Sequence, residues 1–405
     1  MAIIALTDVE SRADYFQHRI LLNLQYWKDY IAVHSSDIGA LDSERHGIIR
    51  AISFALALDS AWPAAYELII AFSSHMERRG YWEPWNAVLS RAIEVAQRAG
   101  DTTADVNLSA LSARLLQRRN CFKEAIACYL RTIRLSRHTR DDFNEARACT
   151  NLGYLYIEQG CWHRAEVLCC HALNIFEQIG SDHGRAHTEN HLGLLYTRQR
   201  RWKAARQRLE SACALWQARG DDHGLMRGFI NLGVLYTEME RADEALIHLE
   251  KALHQARLSG EEAEIGGIYL NIGAAYRRKG KPAKAEAYAR QAEAIFHRFS
   301  NLVGLALARG NLGGACLDQG KWQEACQYLK ASRRACHDLG HKPGEIRALI
   351  DIVACELARG NQAEASGPLH ELECLINCPP QDAQFRHLQP ILIKYRRSLA
   401  KHFTQ

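Results

Sequence analysis

The sequence predicts an all-α solenoid in which antiparallel helical hairpins stack one on the next, and three observations predict it. Gly153, Gly193, Gly233, Gly273 and Gly313 recur at a constant spacing of 40 residues. Within each period the apolar residues follow helical spacing: Leu192, Leu195 and Tyr196 sit at i, i+3 and i+4, and Ala205, Leu209, Ala212 and Trp216 continue it after a short polar break. No Pro/Gly/Ser-rich linker divides the 405 residues, although a chain of that length would otherwise form two or three compact domains.

The elements follow in order. Residues 1–10 are briefly apolar (Ala2 to Leu6) but lack a basic start and stop at Asp8, so they do not read as a signal peptide. Helical patterns at 15–33 (YFQHRILLNLQYWKDYIAV) and 80–101 (GYWEPWNAVLSRAIEVAQRAGD) mark 1–110 as a region of degenerate helical repeats. The regular solenoid spans 111–374. There NLGYLY (151–156), HLGLLY (191–196), NLGVLY (231–236), NIGAAY (271–276), NLGGAC (311–316) and a worn DIVACE (351–356) hold the register. A second column is Ala125, Ala165, Ala205, Ala245, Ala285, Ala325 and Ala365, and a partial aromatic column is Trp82, Phe122, Trp162, Trp202 and Trp322. Gly in a helix interior costs about 1 kcal/mol relative to Ala, so the glycine column needs a packing reason, and close approach to the alanine column is the expected one. Gly180, Gly220, Gly260 and Gly340 stand where a left-handed residue would end each second helix, with Ser181, Asp221 and Glu261 next in the turns. Cys378, Pro379 and Pro380 break the pattern. The amphipathic stretch 382–403, basic at Lys394, Arg396, Arg397 and Lys401, makes 375–405 a polar-faced C-terminal capping helix.

Composition narrows the function. With 51 basic and 46 acidic residues the net charge of +5 gives no case for a nucleic-acid partner, and no apolar run is long enough to cross a membrane. Thirteen cysteines, odd in number and widely scattered, point to a reducing, cytoplasmic setting, with Cys169 and Cys316 as small apolar fillers of repeat columns. The chain has no H-E-x-x-H, G-x-S-x-G, C-x-x-C or Gly-rich phosphate loop, so neither an enzyme nor a cofactor is expected. His183, His187 and His191 lie at i, i+4 and i+8, the one cluster with metal-like spacing. His183 has a counterpart in His223 and is expected in the turn, and no carboxylate or cysteine completes an obvious set except Glu189, on another face. These histidines are therefore read as groove or turn residues, with no metal site expected.

The pattern L-G-x-x-Y followed by an aromatic and an alanine resembles the tetratricopeptide repeat. A 40-residue spacing with Asn before L-G is similar to the longer-period repeats of kinesin light chains and of Leu-Gly-Asn repeat proteins. The resemblance covers about 111–374 as six or seven units, departing from the motif at Leu111, Ala113 and Val353. The N-terminal part resembles the helical segment preceding the repeats in the sensor arms of bacterial signal-transduction ATPases with numerous domains, without a G-x-x-x-x-G-K-[ST] and hence without their ATPase module.

What the resemblance implies is a right-handed superhelix whose first helices line a concave groove. In the kinesin-light-chain-like family the motif Asn points into the groove and bonds a peptide backbone, a role that passes to Asn151, Asn231, Asn271 and Asn311, and less directly to His191 and Asp351. One turn earlier stand Arg147, His187, Arg227 and Arg347, interrupted by Gly267 and Leu307. A carboxamide offers both donor and acceptor to any peptide unit, and arginines add charge-assisted bonds to carboxylates. The alternative role for the Asn column is bracing between helices, and both can hold. Ala274 and Gly314 are expected to widen the groove for a bulky ligand side chain. The expected function is a non-enzymatic scaffold or adaptor that binds a peptide or protein segment, in bacterial signalling or regulation. The alternative is a peptide- or small-molecule-controlled regulator that changes superhelical shape to control a second protein or a nucleic acid.

Overall fold

The computed structural model describes residues 9–377 except Ser36, Gly80, Asn120, Gly260 and Ser300, together with Phe385 and 388–400. Every regular element among them is helical, and the chain forms two compact units, Met1–Leu155 and Tyr156–Gln405. The first holds α1 (Val9–Val33), α2 (Ile38–Ala55), a short 3-10 turn (Asp59–Ala61), α3 (Trp62–Arg79), α4 (Trp82–Arg98), α5 (Thr102–Arg118), α6 (Phe122–Thr139) and most of α7 (Asp142–Glu158). Its core is built on Leu24, Ile52, Leu68, Ile69, Phe72, Trp85 and Leu89, with Phe72 meeting Trp85 edge to face at 5.8 Å between centroids.

The second unit continues as hairpins: α8 (Trp162–Gln178), α9 (Asp182–Arg198), α10 (Trp202–Arg219), α11 (Asp222–Glu238), α12 (Ala242–Leu258), α13 (Glu262–Arg278), α14 (Pro282–Arg298), α15 (Leu302–Asp318), α16 (Trp322–Asp338), α17 (Lys342–Ala358) and α18 (Gln362–Asn377). Consecutive helices pack against each other, and successive first helices also touch, as a solenoid requires. The aromatic column proves to be the first residue of the second helices. A final helix, α19 (Gln389–Ala400), caps the stack: Leu392 is buried with Ile346, Leu349, Leu369 and Leu372, and the Tyr395 hydroxyl donates to the Ile350 carbonyl at 3.3 Å. The pattern break at 378–380 and the two ends of the expected cap, 382–384 and 401–403, lie outside the described residues.

The 40-residue register is two equal half-periods. Among the described residues a left-handed residue closes helices at 20-residue intervals: Gly160, Gly180, Gly220, Gly280, Gly320, Gly340 and Gly360 have φ between 66° and 77°, and Arg140, Arg200 and Glu240 hold the same conformation at 56° to 61° without glycine's freedom. The next N–H then reaches back over the turn, Ser181 to the Phe176 carbonyl and Asp221 to that of Trp216, both at 2.9 Å. Ser181, Asp221 and Asn301 cap the following first helices by accepting from Gly184, Gly224 and Gly304, whereas Glu261 makes no side-chain cap. Gly260 lies outside the described residues.

Two glycine columns set how closely the helices pack. A Cβ added at Gly193, Gly233 or Gly313 would lie 2.5, 2.5 or 2.6 Å from the Cγ of Leu209, Leu249 or Leu329. The partner of this column is therefore the buried leucine one turn beyond the expected alanine, because the crossing helices are offset along their axes. Gly273 meets the alanine column instead, through the Ala285 carbonyl at 3.3 Å, in the hairpin where Ala289 replaces the leucine. The second column had no sequence expectation. Gly184, Gly224 and Gly304 lie under the rings of Phe176, Trp216 and Phe296, with an added Cβ 2.3 to 2.4 Å from the ring.

Candidate functional site

The face carrying the expected binding residues is the row of first helices. In the first unit it holds a pocket of about 500 Å³ lined by Tyr66, Ser73, Glu77, Asn107, Arg114 and Arg147 among others. A polar relay crosses three successive first helices there: Arg147 on α7 donates to Asn107 Oδ1 on α5 at 3.3 Å, and Asn107 donates to the Tyr66 hydroxyl on α3 at 2.9 Å. Arg114 is paired with Glu77 at 2.7 Å. Among the described residues the neutral Asn107 is the hydrogen-bond partner of Arg147, and burial followed by the charge of Arg114 pulls its pKa below the usual guanidinium range. Asn107 occupies the Arg147 column one period earlier and escaped the sequence reading because no arginine or LG motif marks that position. Asn151 sits half-buried at its expected register.

In the second unit two residues of the Asn column, Asn231 and Asn311, brace neighbouring first helices. Asn231 Nδ2 donates to Asn190 Oδ1 at 2.8 Å and Asn311 Nδ2 to the Leu270 carbonyl at 3.2 Å, each tying a first helix to the preceding one. Such a bond fixes the amide plane and leaves the Oδ1 oxygens of Asn231 and Asn311 without a protein partner among the described residues. Asn271 is half-buried with no side-chain hydrogen bond among the described residues, and Arg347 is exposed. His191 is buried within the stack rather than presented on the face.

One expectation about the groove is overturned. Gly314 does not open space for a ligand, because the Arg277 guanidinium lies across it, with an added Cβ only 2.3 Å from Nη1. Arg277 on α13 reaches Asp318 on α15 (Nε to Oδ2, 2.6 Å) and Asp351 on α17 (Nη1 to Oδ2, 2.8 Å), so Asp351 is the far end of a clamp and not a free rung. The open position is Gly267, where a Cβ would meet nothing within 4 Å.

The expected histidine trio is also regrouped. The rings of His183 and His187 meet at 4.6 Å, and Asp221, 34 residues further on, replaces His191 beside them. Glu189 is taken by Arg208 at 2.9 Å. His187 packs edge to face on Trp216 at 5.4 Å. Burial, reinforced by the charges of Arg227, His183 and His223 against that of Asp221, lowers its pKa to about 4. An unfolded histidine takes its proton near 6.5 while this one stays neutral in the fold, so stability present above pH 6.5 drains away as pH falls toward 4. The slope is at most about 1.4 kcal/mol per pH unit and less for a partly exposed ring. His187→Gln should flatten the dependence of melting temperature on pH between 6.5 and 4 relative to the parent; an unchanged profile would show that His187 does not contribute to it.

The tetratricopeptide repeat profile matches residues 144–218, 224–297 and 304–369, more than half of the chain. The chain belongs to the tetratricopeptide repeat family. No curated protein matches it. Among solved structures, the repeat chain is similar to aspartyl phosphate phosphatase F of Bacillus subtilis, at 12% identity and a TM-score of 0.60 over 89% of this chain and 95% of that one. It is also similar to a signal transduction ATPase with numerous domains and a tetratricopeptide repeat sensor from Pyrococcus horikoshii, at 15% identity and a TM-score of 0.52, covering 88% of this chain and 55% of the other. NprR in complex with its cognate peptide NprX gives 18% identity and a TM-score of 0.51, over 64% and 74%. At these identities the likeness is one of fold. No helix among the described residues is long and apolar enough to cross a membrane.

Proposed function

We propose that this tetratricopeptide repeat chain is a non-enzymatic, cytoplasmic interaction module that binds a peptide or protein segment along its first helices, with an acidic group of the segment received at Arg147. The observation that carries the reading is the pocket itself: a half-buried guanidinium with a second arginine beside it and the neutral Asn107 as its hydrogen-bond partner is an arrangement that a carboxylate would relieve. Within the second unit, taken by itself, the amide oxygens left open by the Asn231 and Asn311 braces, together with Asn271, suit recognition of a peptide backbone. NprR, which shares the fold, was solved with its cognate peptide, and that supports a peptide as the occupant.

The test is selection of a randomised displayed-peptide library on the full chain, followed by affinity measurements for the recovered sequences. Recovered peptides should carry Asp, Glu or a required free C-terminus, and Arg147→Gln should weaken them about tenfold or more with unchanged helical content. Asn271→Ala is the clean probe of the ladder, since Asn231→Ala would also strand the buried Asn190 amide. Peptides without acidic groups, or indifferent to Arg147→Gln, would remove this reading.

A further inference from the structure

We propose that His183, His187 and Asp221 form a binding site for a divalent first-row transition metal, foremost Zn²⁺, which ties the start of α9 to the N-terminal cap of α11. One ligand atom from each residue lies within 4.8 Å of the other two. His183 and His187 are four apart on one helix and so chelate from a single face. Asp221 divides its two oxygens: Oδ1 accepts from the Gly224 N–H at 2.9 Å, which holds the carboxylate in place, while Oδ2 faces His183 Nδ1 at 3.9 Å. Two imidazoles and a carboxylate are a donor set suited to zinc and its neighbours, and three protein ligands leave a position open for water or another ligand. Metal bonds of about 2.0–2.2 Å in a tetrahedral site place ligand atoms roughly 3.4 Å apart, so the set must tighten by about 1 Å. The exposed His183 ring has room to supply that movement.

The next repeat is the internal control. In the same register His223 Nδ1 lies 2.8 Å from a Glu261 carboxylate oxygen, but the chelating position held by His187 is there Arg227. The acid-histidine pair thus repeats without a metal set, and the second histidine is what distinguishes the first instance. Arg227 also projects its charge onto His187, so it opposes any cation bound there. The proposal does not depend on peptide binding.

The experiment uses the full chain, thiols reduced and metal stripped, titrated with Co²⁺ and competed with Zn²⁺. One equivalent of Co²⁺ should give visible d–d bands without a thiolate charge-transfer band, which separates this site from the cysteines. His183→Ala, a change at an exposed position, and Asp221→Asn, which keeps the cap, should each weaken the metal about 10- to 100-fold. His223→Ala should leave affinity unchanged, and Arg227→Gln should tighten it several-fold. Equal affinity in His183→Ala and the parent, or a spectrum dominated by thiolate, would overturn the site and leave His183 and Asp221 an acid-histidine contact like that of the next repeat.

Discussion

Trp216→Ala will cost about 3–5 kcal/mol, and it will reverse the sign of a second substitution, Gly224→Ala. Trp216 is fully buried at the end of α10, and its Cδ1, Nε1 and Cε2 lie 2.4 to 2.6 Å from where a Gly224 Cβ would stand. Contacts that short do not occur, so in the parent Gly224→Ala must displace an indole enclosed on every side and should destabilise by about 1–3 kcal/mol. With Trp216 truncated the obstruction is gone, and alanine's helix preference over glycine, about 1 kcal/mol, makes the same change favourable. Natural variation along the repeat follows this rule. Phe176, Trp216 and Phe296 are each followed eight residues later by Gly184, Gly224 and Gly304, while the small Ala96, Ser136 and Ala256 are followed by Ala104, Asn144 and Glu264. Cys336 with Gly344 is the one pair that keeps the glycine without a ring. Urea midpoints of the four proteins of this cycle measure the coupling; a Gly224→Ala penalty of equal size in both backgrounds would refute the ring-on-glycine account.

The same pairing shows what the sequence made legible. A period of 40 residues, helical spacing within it and left-handed glycines at the turns are properties of neighbours along the chain, and the hairpins, the C′ residues Gly180, Gly220 and Gly340 and the capping helix follow from them. Cross-helix partners depend on axial offset, which no column of identities encodes: the glycines met Leu209 and Leu249 where alanine was expected. The site was affected more strongly. The i, i+4, i+8 arithmetic grouped His191 with His183, but eight residues turn a helix about 80° past two full rotations, enough to carry the third ring into the stack. Its replacement, Asp221, is brought in by the hairpin turn. The Asn column was placed in register, yet its braces to Asn190 and Leu270 depend on neighbouring first helices touching 41 residues apart.

The second large effect is expected at Arg277, a residue that no repeat column singled out. Arg277→Ala should cost roughly 2–3 kcal/mol, below the 3–5 typical of a fully buried pair because the guanidinium keeps partial solvent access. Four bonds hold it to Asp318 and Asp351, at 2.6 and 3.3 Å and at 2.8 and 3.2 Å. Its removal leaves two neighbouring carboxylates facing each other with no common cation. Arg277→Lys should recover only part of the loss, since a single ammonium cannot present the planar fork that serves both acids at once. Gly314→Ala should produce a smaller version of the same defect, because its Cβ would strike Nη1 of a side chain pinned at both ends; in the Arg277→Ala background that penalty should vanish. The clamp spans α13, α15 and α17, so its loss should speed amide hydrogen exchange in those three helices and leave α9 at its parental rate. Uniform acceleration across the second unit would mean that Arg277 supports the stack as a whole, and no change in α17 would mean that Asp351 is held by something other than this arginine.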